Sequence, residues 1–171
     1  MLIISQIIGL AAVGLYLLSY QLKKRSHIVW TTCISNALYV LQYILLGAFS
    51  GAIMDFLSTV SSFFAGKKNS PAFRKYMKPI AIMNMLMIAA AGISVAVVNQ
   101  KPVELLPVAG ALLQTGGLWF ENEQTIRRFG LCSAPFWLVY NFISQAYGAS
   151  LGSVLVIASI IISMVRYRKK K

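Results

Sequence analysis

The chain alternates between long apolar stretches and short segments that carry nearly all of its charge. A helix that crosses the hydrocarbon core of a bilayer needs about 20 mostly apolar residues. Glycines, prolines and charged residues divide the apolar sequence into stretches of roughly that length. We therefore predict seven membrane-spanning helices, over residues 2–22, 28–46, 50–66, 79–98, 103–120, 128–146 and 149–166.

Composition supports this interpretation and excludes an ordinary soluble enzyme. Of the 171 residues, 58% are hydrophobic and only 12% are charged, whereas a soluble domain has about 25% charged residues. A formal net charge of +12 is also typical of nucleic-acid-binding proteins, but those spread their charge over a solvated surface. The sequence predicts an all-α membrane protein, one domain over residues 1–171, with the lipid bilayer and not nucleic acid as its partner.

The basic residues predict the orientation in the membrane. Fifteen of the 16 Lys and Arg residues fall on one side of a seven-span topology, and only Lys101 falls on the other. Short cytoplasmic loops are enriched in Lys and Arg. We therefore predict a bacterial inner (cytoplasmic) membrane protein with its N-terminus outside and its C-terminus in the cytoplasm. The basic segments are 23–25, 67–78, 127–128 and 166–171.

The first three predicted spans are similar to the last three. A shift of 101 residues aligns Tyr39 with Tyr140, and the turn GAFSG at 47–51 with GASLG at 148–152. A unit of three spans reverses direction in the membrane, so an unmatched fourth span restores the orientation of the second unit. The sequence thus predicts two parallel three-helix repeats and a linker helix, a 3 + 1 + 3 arrangement. The repeats cover 2–68 and 103–169, and the linker covers 79–98.

This arrangement resembles the SWEET sugar transporters, whose half-size relatives, the SemiSWEETs, correspond to one unit. Further likeness appears in KPVELLPV at 101–108, WF at 119–120, LLGAFSGA at 45–52 and LVYNFISQAYGAS at 138–150. These segments resemble the YgjV family of bacterial inner-membrane proteins, which implies a fold lineage and a location but no substrate. The chain departs from the PQ-loop pattern because it lacks the Pro-Gln pair, and Pro135 is its only proline well placed for a mid-path hinge.

Uncharged polar residues interrupt the apolar spans near mid-membrane. Polar groups in a bilayer are costly unless satisfied, so they mark helix contacts or a solute path. Tyr39 follows Asn36 at helical spacing, and residues 140, 141 and 144 follow Trp137 in the same way. Amides bind hydroxyl or carboxamide groups, and flat rings stack on apolar solute faces. Our candidate substrate-binding residues are Asn36, Tyr39, Ser58, Gln114, Trp137, Tyr140 and Asn141. Helix–helix contact is the alternative role.

Asp55 is the only acidic residue inside a predicted span apart from Glu104 at a helix start. A carboxylate within the membrane is a functional candidate by default. We predict a proton-coupling or solute-accepting role, with exposure to water near the outer surface as the alternative. Glu121 and Glu123 are expected to form a solvated cluster with Arg127 and Arg128.

The sequence favours a transporter or facilitator for a small solute, a sugar or another small polar metabolite, with a central cavity between the repeats. The alternative is a non-transporting membrane subunit that binds a partner or supports assembly. An enzyme is not expected, because the chain contains no HExxH motif and no carboxylate pair within a span. Neither a cofactor nor a metal site is predicted. A monomer would suffice for a chain with two units, and a homo-oligomer stays open.

Overall fold

The computed structural model describes residues 2–143 and 147–168, and over them all the regular secondary structure is helical. The 3₁₀ turns Arg74–Tyr76 and Pro102–Glu104 precede the fourth and fifth α-helices. The α-helices are α1 (Leu2–Gln21), α2 (Arg25–Leu46), α3 (Phe49–Gly66), α4 (Met77–Asn99), α5 (Leu105–Leu118), α6 (Glu123–Ile143) and α7 (Tyr147–Arg166).

The helices coincide with the predicted stretches, with shifted ends. The fifth begins later than expected because Pro102–Glu104 forms a 3₁₀ turn, and its 14 residues reach about 21 Å at 1.5 Å per residue. The sixth begins at Glu123, five residues before its predicted start. Ser144, the rest of 144–146 and 169–171 lie outside the described residues. Within residues 2–143 and 147–168, four helical segments are long and apolar enough to cross a membrane: Ile4–Gln21, Arg25–Leu46, Arg74–Asn99 and Ala149–Arg166.

The predicted tight turn after α2 forms at Gly47. Its φ is +69°, in the left-handed backbone region that residues other than glycine rarely adopt. The N–H of Gly47 donates to the Ile44 carbonyl, and that of Ala48 donates to the Tyr43 carbonyl. These bonds close the last turn of α2, so α3 returns antiparallel after two residues.

Six of the helices form a closed ring. Around it, α1 packs on α2, α2 on α3, α3 on α5, α5 on α6, α6 on α7, and α7 on α1. Helix α4 lies outside the ring against α3 and α5. The ring thus encloses a central space to which α4 has no access.

Helix α4 is held on the ring by apolar packing and one amide. Ile88 of α4 packs with Met54 and Leu57 of α3 and Val108 of α5. The Asn84 Nδ2 atom donates to the Leu57 carbonyl at 3.2 Å. Burying a polar group is costly without a partner, so this bond also fixes which face of α4 meets α3.

The outer surface of the bundle is apolar. Large aliphatic side chains on several helices are more than half exposed, including Leu10 at 71%, Leu86 at 64% and Leu151 at 63%. A soluble monomer rarely exposes apolar patches of this extent. The surface is instead the one that lipid tails would contact.

Several polar contacts join the helices at one end of the ring, which we call the basic end. There the ends of α1, α3, α5 and α7 meet the starts of α2 and α6. The basic side chains Arg25, Lys68 and Arg127 lie at this end. The Gly47 turn lies at the opposite end, because α2 runs between them.

Candidate functional site

A cavity lies inside the six-helix ring, and every ring helix contributes to its wall. Helix α4 contributes no lining residue. The lining residues are Tyr16 of α1, Asn36, Tyr39 and Tyr43 of α2, Asp55 of α3, Gln114 of α5, Ser133, Ala134, Trp137 and Asn141 of α6, and Ser153 and Val156 of α7.

Six of the eight residues singled out from sequence line this one cavity. Two do not. Ser58 is buried in α3 away from the lining, and its Oγ has no hydrogen-bond partner among the described residues. Tyr140 exchanges a 2.9 Å hydrogen bond with Ser50, and its ring packs edge-on against Trp137. Tyr140 therefore supports the wall from behind.

Long hydrogen bonds connect the amides of the cavity across the ring. Gln114 Nε2 donates to Asn36 Oδ1 at 3.3 Å, which links α5 to α2. Tyr43 donates to Asn141 Oδ1 at 3.5 Å, and Asn141 Nδ2 donates to Ser153 at 3.4 Å. All three exceed the usual distance of about 2.7–3.2 Å. These amides are therefore loosely held.

Asn36 keeps an unused donor. It is 1% exposed, and its Nδ2 atom has no partner among the residues that the structure describes. An unpaired buried donor costs about 1–3 kcal/mol. A solute oxygen that accepted from Asn36 would remove that cost.

Asp55 is a buried carboxylate with no counter-ion in the described part of the chain. It is 4% exposed and lines the cavity. The two ion pairs among the described residues both involve Glu121 at the basic end. Among the residues that the structure describes, the cavity wall contains one acidic side chain and no basic one.

Aromatic rings form much of the remaining wall. The Tyr39 and Tyr43 rings stack with centroids 6.1 Å apart. The Tyr16 ring meets Tyr20 edge-on at 5.2 Å, and their hydroxyls are 2.9 Å apart. Trp137 completes the aromatic set on α6. Such walls offer flat apolar faces together with hydroxyl groups.

The cavity is small in this conformation. The space between its side chains is about 480 Å³ with the open mouth included, and about 50 Å³ of it can hold the centres of water molecules. One water needs roughly 10–15 Å³ by this measure. The enclosed part therefore has room for a few waters or a solute of a few heavy atoms.

An apolar layer closes the cavity towards the basic end. Ile28 and Val29 of α2, Ala65 of α3, Leu118 of α5 and Ile126 of α6 pack together there and are at most 2% exposed. Leu118 lies one helical turn beyond the lining residue at 114, and Ile28 lies two turns before Asn36. Water or solute thus meets a barrier on this side.

Arg25 covers that layer at the start of α2. Its Nη2 atom donates to the Leu118 carbonyl at 2.7 Å and the Ala65 carbonyl at 3.2 Å. Its Nε donates to the Phe120 carbonyl at 2.8 Å. The last carbonyls of a helix have no partner within it, so Arg25 satisfies the ends of α3 and α5 together.

Arg127 makes a comparable contact at the start of α6. It is 1% exposed and donates from Nη2 to the Leu22 carbonyl at 2.8 Å and from Nε to the Tyr20 carbonyl at 3.2 Å. Its guanidinium lies 4.8 Å from the centroid of the Tyr167 ring. The first arginine therefore caps α5 from α2, and the second caps α1 from α6.

Glu121 and Glu123 were expected to form a solvated cluster with Arg127 and Arg128, but the observed ion pairs involve other basic residues. Glu121 binds Lys68 at 2.9 Å and approaches Arg25 at 3.7 Å, whereas Arg127 is buried against α1. The hydrogen bond from Lys68 holds the pKa of the Glu121 carboxyl below its ordinary value. Glu121 thus pairs with basic residues at the start of α2 and after α3, and not with its neighbours in sequence.

Sequence reasoning missed several contributors to the cavity. Tyr16, Ser133 and Ser153 line it but were not among the candidates. The signal for Ser133 was available, since it lies one turn before Trp137 on the same helix face. Tyr16 had no such signal, because only the contact between α1 and α7 brings it to the wall. No group of three or more His, Cys, Asp or Glu residues suited to a metal ion occurs within 2–143 and 147–168.

The fold and cavity define an α-helical integral membrane protein with a polar centre. The profile of the Imp-YgjV family, a family of bacterial inner membrane proteins, matches residues 3–171, and the chain belongs to that family. The assignment from sequence segments to the YgjV family and to the bacterial inner membrane is thereby confirmed. Comparison with curated proteins and with solved structures gave no match.

Proposed function

We propose that this protein is a transporter or facilitator for a small polar solute, which passes through the cavity inside the six-helix ring. The observation that carries the proposal is a cavity lined from all six ring helices, in which Asn36 Nδ2 and Trp137 Nε1 have no hydrogen-bond partner among the described residues. Helix packing alone does not account for an unpaired donor on Asn36 and an unpaired carboxylate on Asp55, since both are costly to bury. A solute that passes through would satisfy them.

The proposed transport unit consists of two parallel repeats, α1–α3 and α5–α7, with seven membrane spans and α4 as the linker. The reciprocal caps support it, because Arg25 of the first unit binds the end of α5 and Arg127 of the second binds the end of α1. This is the contact pattern expected of a pseudo-two-fold axis along the membrane normal. A complete cavity in one chain makes a monomer sufficient.

We assign the basic end to the cytoplasm, which leaves the N-terminus outside. The positive-inside tendency supports this orientation. The apolar layer of residues 28, 29, 65, 118 and 126 would then be the cytoplasmic barrier. Protease or thiol-reagent accessibility at the two ends of the chain in intact spheroplasts tests the assignment.

The transport proposal is tested by solute flux into liposomes that contain the purified protein. A panel of neutral, cationic and anionic small solutes would be assayed for wild type, Asn36→Ala and Trp137→Ala. Both variants should lose most of the flux for the transported class. Leu86→Ala, on the lipid side of α4 and 64% exposed, is the matched control and should retain it.

Absence of flux for every class, with folded protein confirmed, would overturn the transport proposal. The non-transporting partner-binding or assembly subunit would then be the better interpretation. We propose no enzymatic role, because the two serines on the cavity wall, Ser133 and Ser153, donate to main-chain carbonyls and not to a base that would activate them.

A further inference from the structure

We propose that the solute is a small organic cation, an amine that also carries an oxygen acceptor, with Asp55 as its counter-ion. This inference rests on the transport proposal for its site and adds the chemical class of the solute. Three independent features of the cavity carry it: its charge, its rings and its unpaired amide donor.

The charge of the cavity is the first feature. Its wall contains Asp55 and no Lys, Arg or His, and no described side chain forms an ion pair with this carboxylate. An isolated charge in an apolar interior is costly unless it is paired. A monovalent cation in the cavity would provide that pairing, whereas an anion would double the unfavourable charge.

The rings favour an organic cation over a metal ion. Tyr16, Tyr39, Tyr43 and Trp137 lie on the wall beside the carboxylate. Ammonium groups are attracted to the faces of such rings at distances up to about 6 Å. Hard metal cations instead select sites built mainly of oxygen ligands, whereas four aromatic side chains share this wall with the single carboxylate.

The amide donor requires an oxygen on the same solute. Asn36 Nδ2 is buried and unpaired among the described residues, and its Oδ1 already accepts from Gln114. A hydroxyl or carbonyl oxygen on the solute would accept from it. A neutral sugar would also do so, but it would bring no positive charge to the Asp55 carboxyl.

The volume limits the size of this cation. The space open to water centres is about 50 Å³, which corresponds to roughly three to five waters. Ethanolammonium, with about four non-hydrogen atoms, has the right size, a positive charge and one oxygen acceptor. It is therefore the probe of choice.

The test measures the thermal unfolding midpoint of the full chain in detergent at about pH 7.5, where the amine is protonated. Ethanolamine hydrochloride is compared at equal ionic strength with sodium chloride, ethylene glycol, sodium glycolate and glucose. Saturating ethanolammonium should raise the midpoint by several degrees, and the other four should not. Stabilisation by glucose or glycolate alone would overturn the inference, as would an equal effect of sodium chloride.

The variants assign the effect to the carboxylate. Asp55→Asn should weaken ethanolammonium affinity by about tenfold or more. Glu121→Gln removes a carboxylate outside the cavity and should leave the affinity unchanged. If the two variants respond alike, the carboxylate is not the counter-ion. If Asp55→Asn does not fold, the selectivity of the wild type for ethanolammonium over the other four compounds still decides the inference.

Flux measurements separate this inference from the transport proposal. Flux of neutral solutes without cation selectivity would refute the organic cation and retain the transporter. Saturable ethanolammonium binding without flux would retain the cation site and refute transport. Selective ethanolammonium flux that Asp55→Asn abolishes would support both.

Discussion

The central cavity and the basic end contain the same kinds of polar group inside one apolar bundle, but they use them differently. At the basic end, Arg25, Lys68 and Arg127 all donate to main-chain carbonyls at helix ends. In the cavity, the Asn36 Nδ2 donor has no partner among the described residues, and Asp55 forms no ion pair with any of them. One region is satisfied by the protein itself, and the other is left for a ligand.

This difference has a physical basis in where helices end. The last carbonyls of α1, α3 and α5 have no acceptor role within their own helices, so basic side chains that reach them gain charge-assisted hydrogen bonds. The middle of a helix offers no such groups, because its carbonyls are already used. A polar side chain placed there must find another side chain, a water or a solute.

The largest effect is expected at Arg127. Arg127→Ala should lower the free energy of unfolding by about 3 kcal/mol, because hydrogen bonds from charged groups contribute about 1.5–3 kcal/mol each. Unfolding in mixed detergent and SDS micelles, followed by circular dichroism, measures it. The neighbouring Arg128 is exposed, so Arg128→Ala is the matched control. Equal losses in the two variants would show that burial of Arg127 contributes little.

A smaller loss is expected at Arg25. Arg25→Gln should cost about 2 kcal/mol, less than the change at Arg127 because Lys68 still donates to the Trp119 carbonyl of the same helix end. The same unfolding assay applies, with the exposed Lys24→Ala as control. No loss in Arg25→Gln would mean that water replaces the guanidinium at the ends of α3 and α5.

The sequence predicted the helices better than the contacts between them. Apolar runs and charge breaks define where each helix lies, since both are local properties. Arg127 illustrates the difference. Its position near Glu121 and Glu123 predicts a surface residue, and only its helical phase distinguishes it from Arg128. Gly130 and Ala134, at i+3 and i+7 from Arg127, are small and buried on the same face, which marks that face as the packed one.

The cavity was predicted as far as depth and spacing allow. Asn36, Gln114 and Trp137 came from depth in the membrane, and they meet because their helices face the same central space: α5 and α6 are neighbours in the ring, and α2 lies across it. Ser58 lies one helical turn after Asp55 on the same face of α3, closer to the basic end, and it does not line the cavity. The approximate depth of a polar residue is readable from one chain segment, whereas the extent of the cavity depends on the neighbouring helices.

The contrast between the cavity and the basic end predicts that a substitution at Asp55 changes the free energy of unfolding in the opposite direction from the arginine substitutions. Asp55→Asn keeps the shape and removes a carboxyl group that is costly to bury without a counter-ion, so it should raise the free energy of unfolding of the empty protein by about 1 kcal/mol. Both arginine variants should lower it. The same unfolding assay at neutral pH decides the sign. A loss comparable to that of Arg25→Gln would show that the carboxylate has a stabilising partner.

The smallest effect is expected at Glu121, whose carboxylate is partnered but exposed. Glu121→Gln should cost less than about 1 kcal/mol, because exposed ion pairs are screened by water.

The folded-state pKa of Glu121 is lowered, chiefly by the hydrogen bond from Lys68. Its contribution should therefore be complete above the ordinary carboxyl value of 4.5 and disappear as the pH falls through the lowered folded value. Unfolding of wild type and variant at neutral and acidic pH measures this, with Glu123→Gln as the control that lacks an ion pair among the described residues. A difference that grew at acidic pH would mean that the pair with Lys68 does not form, and the basic end would then be less completely satisfied than the contacts indicate.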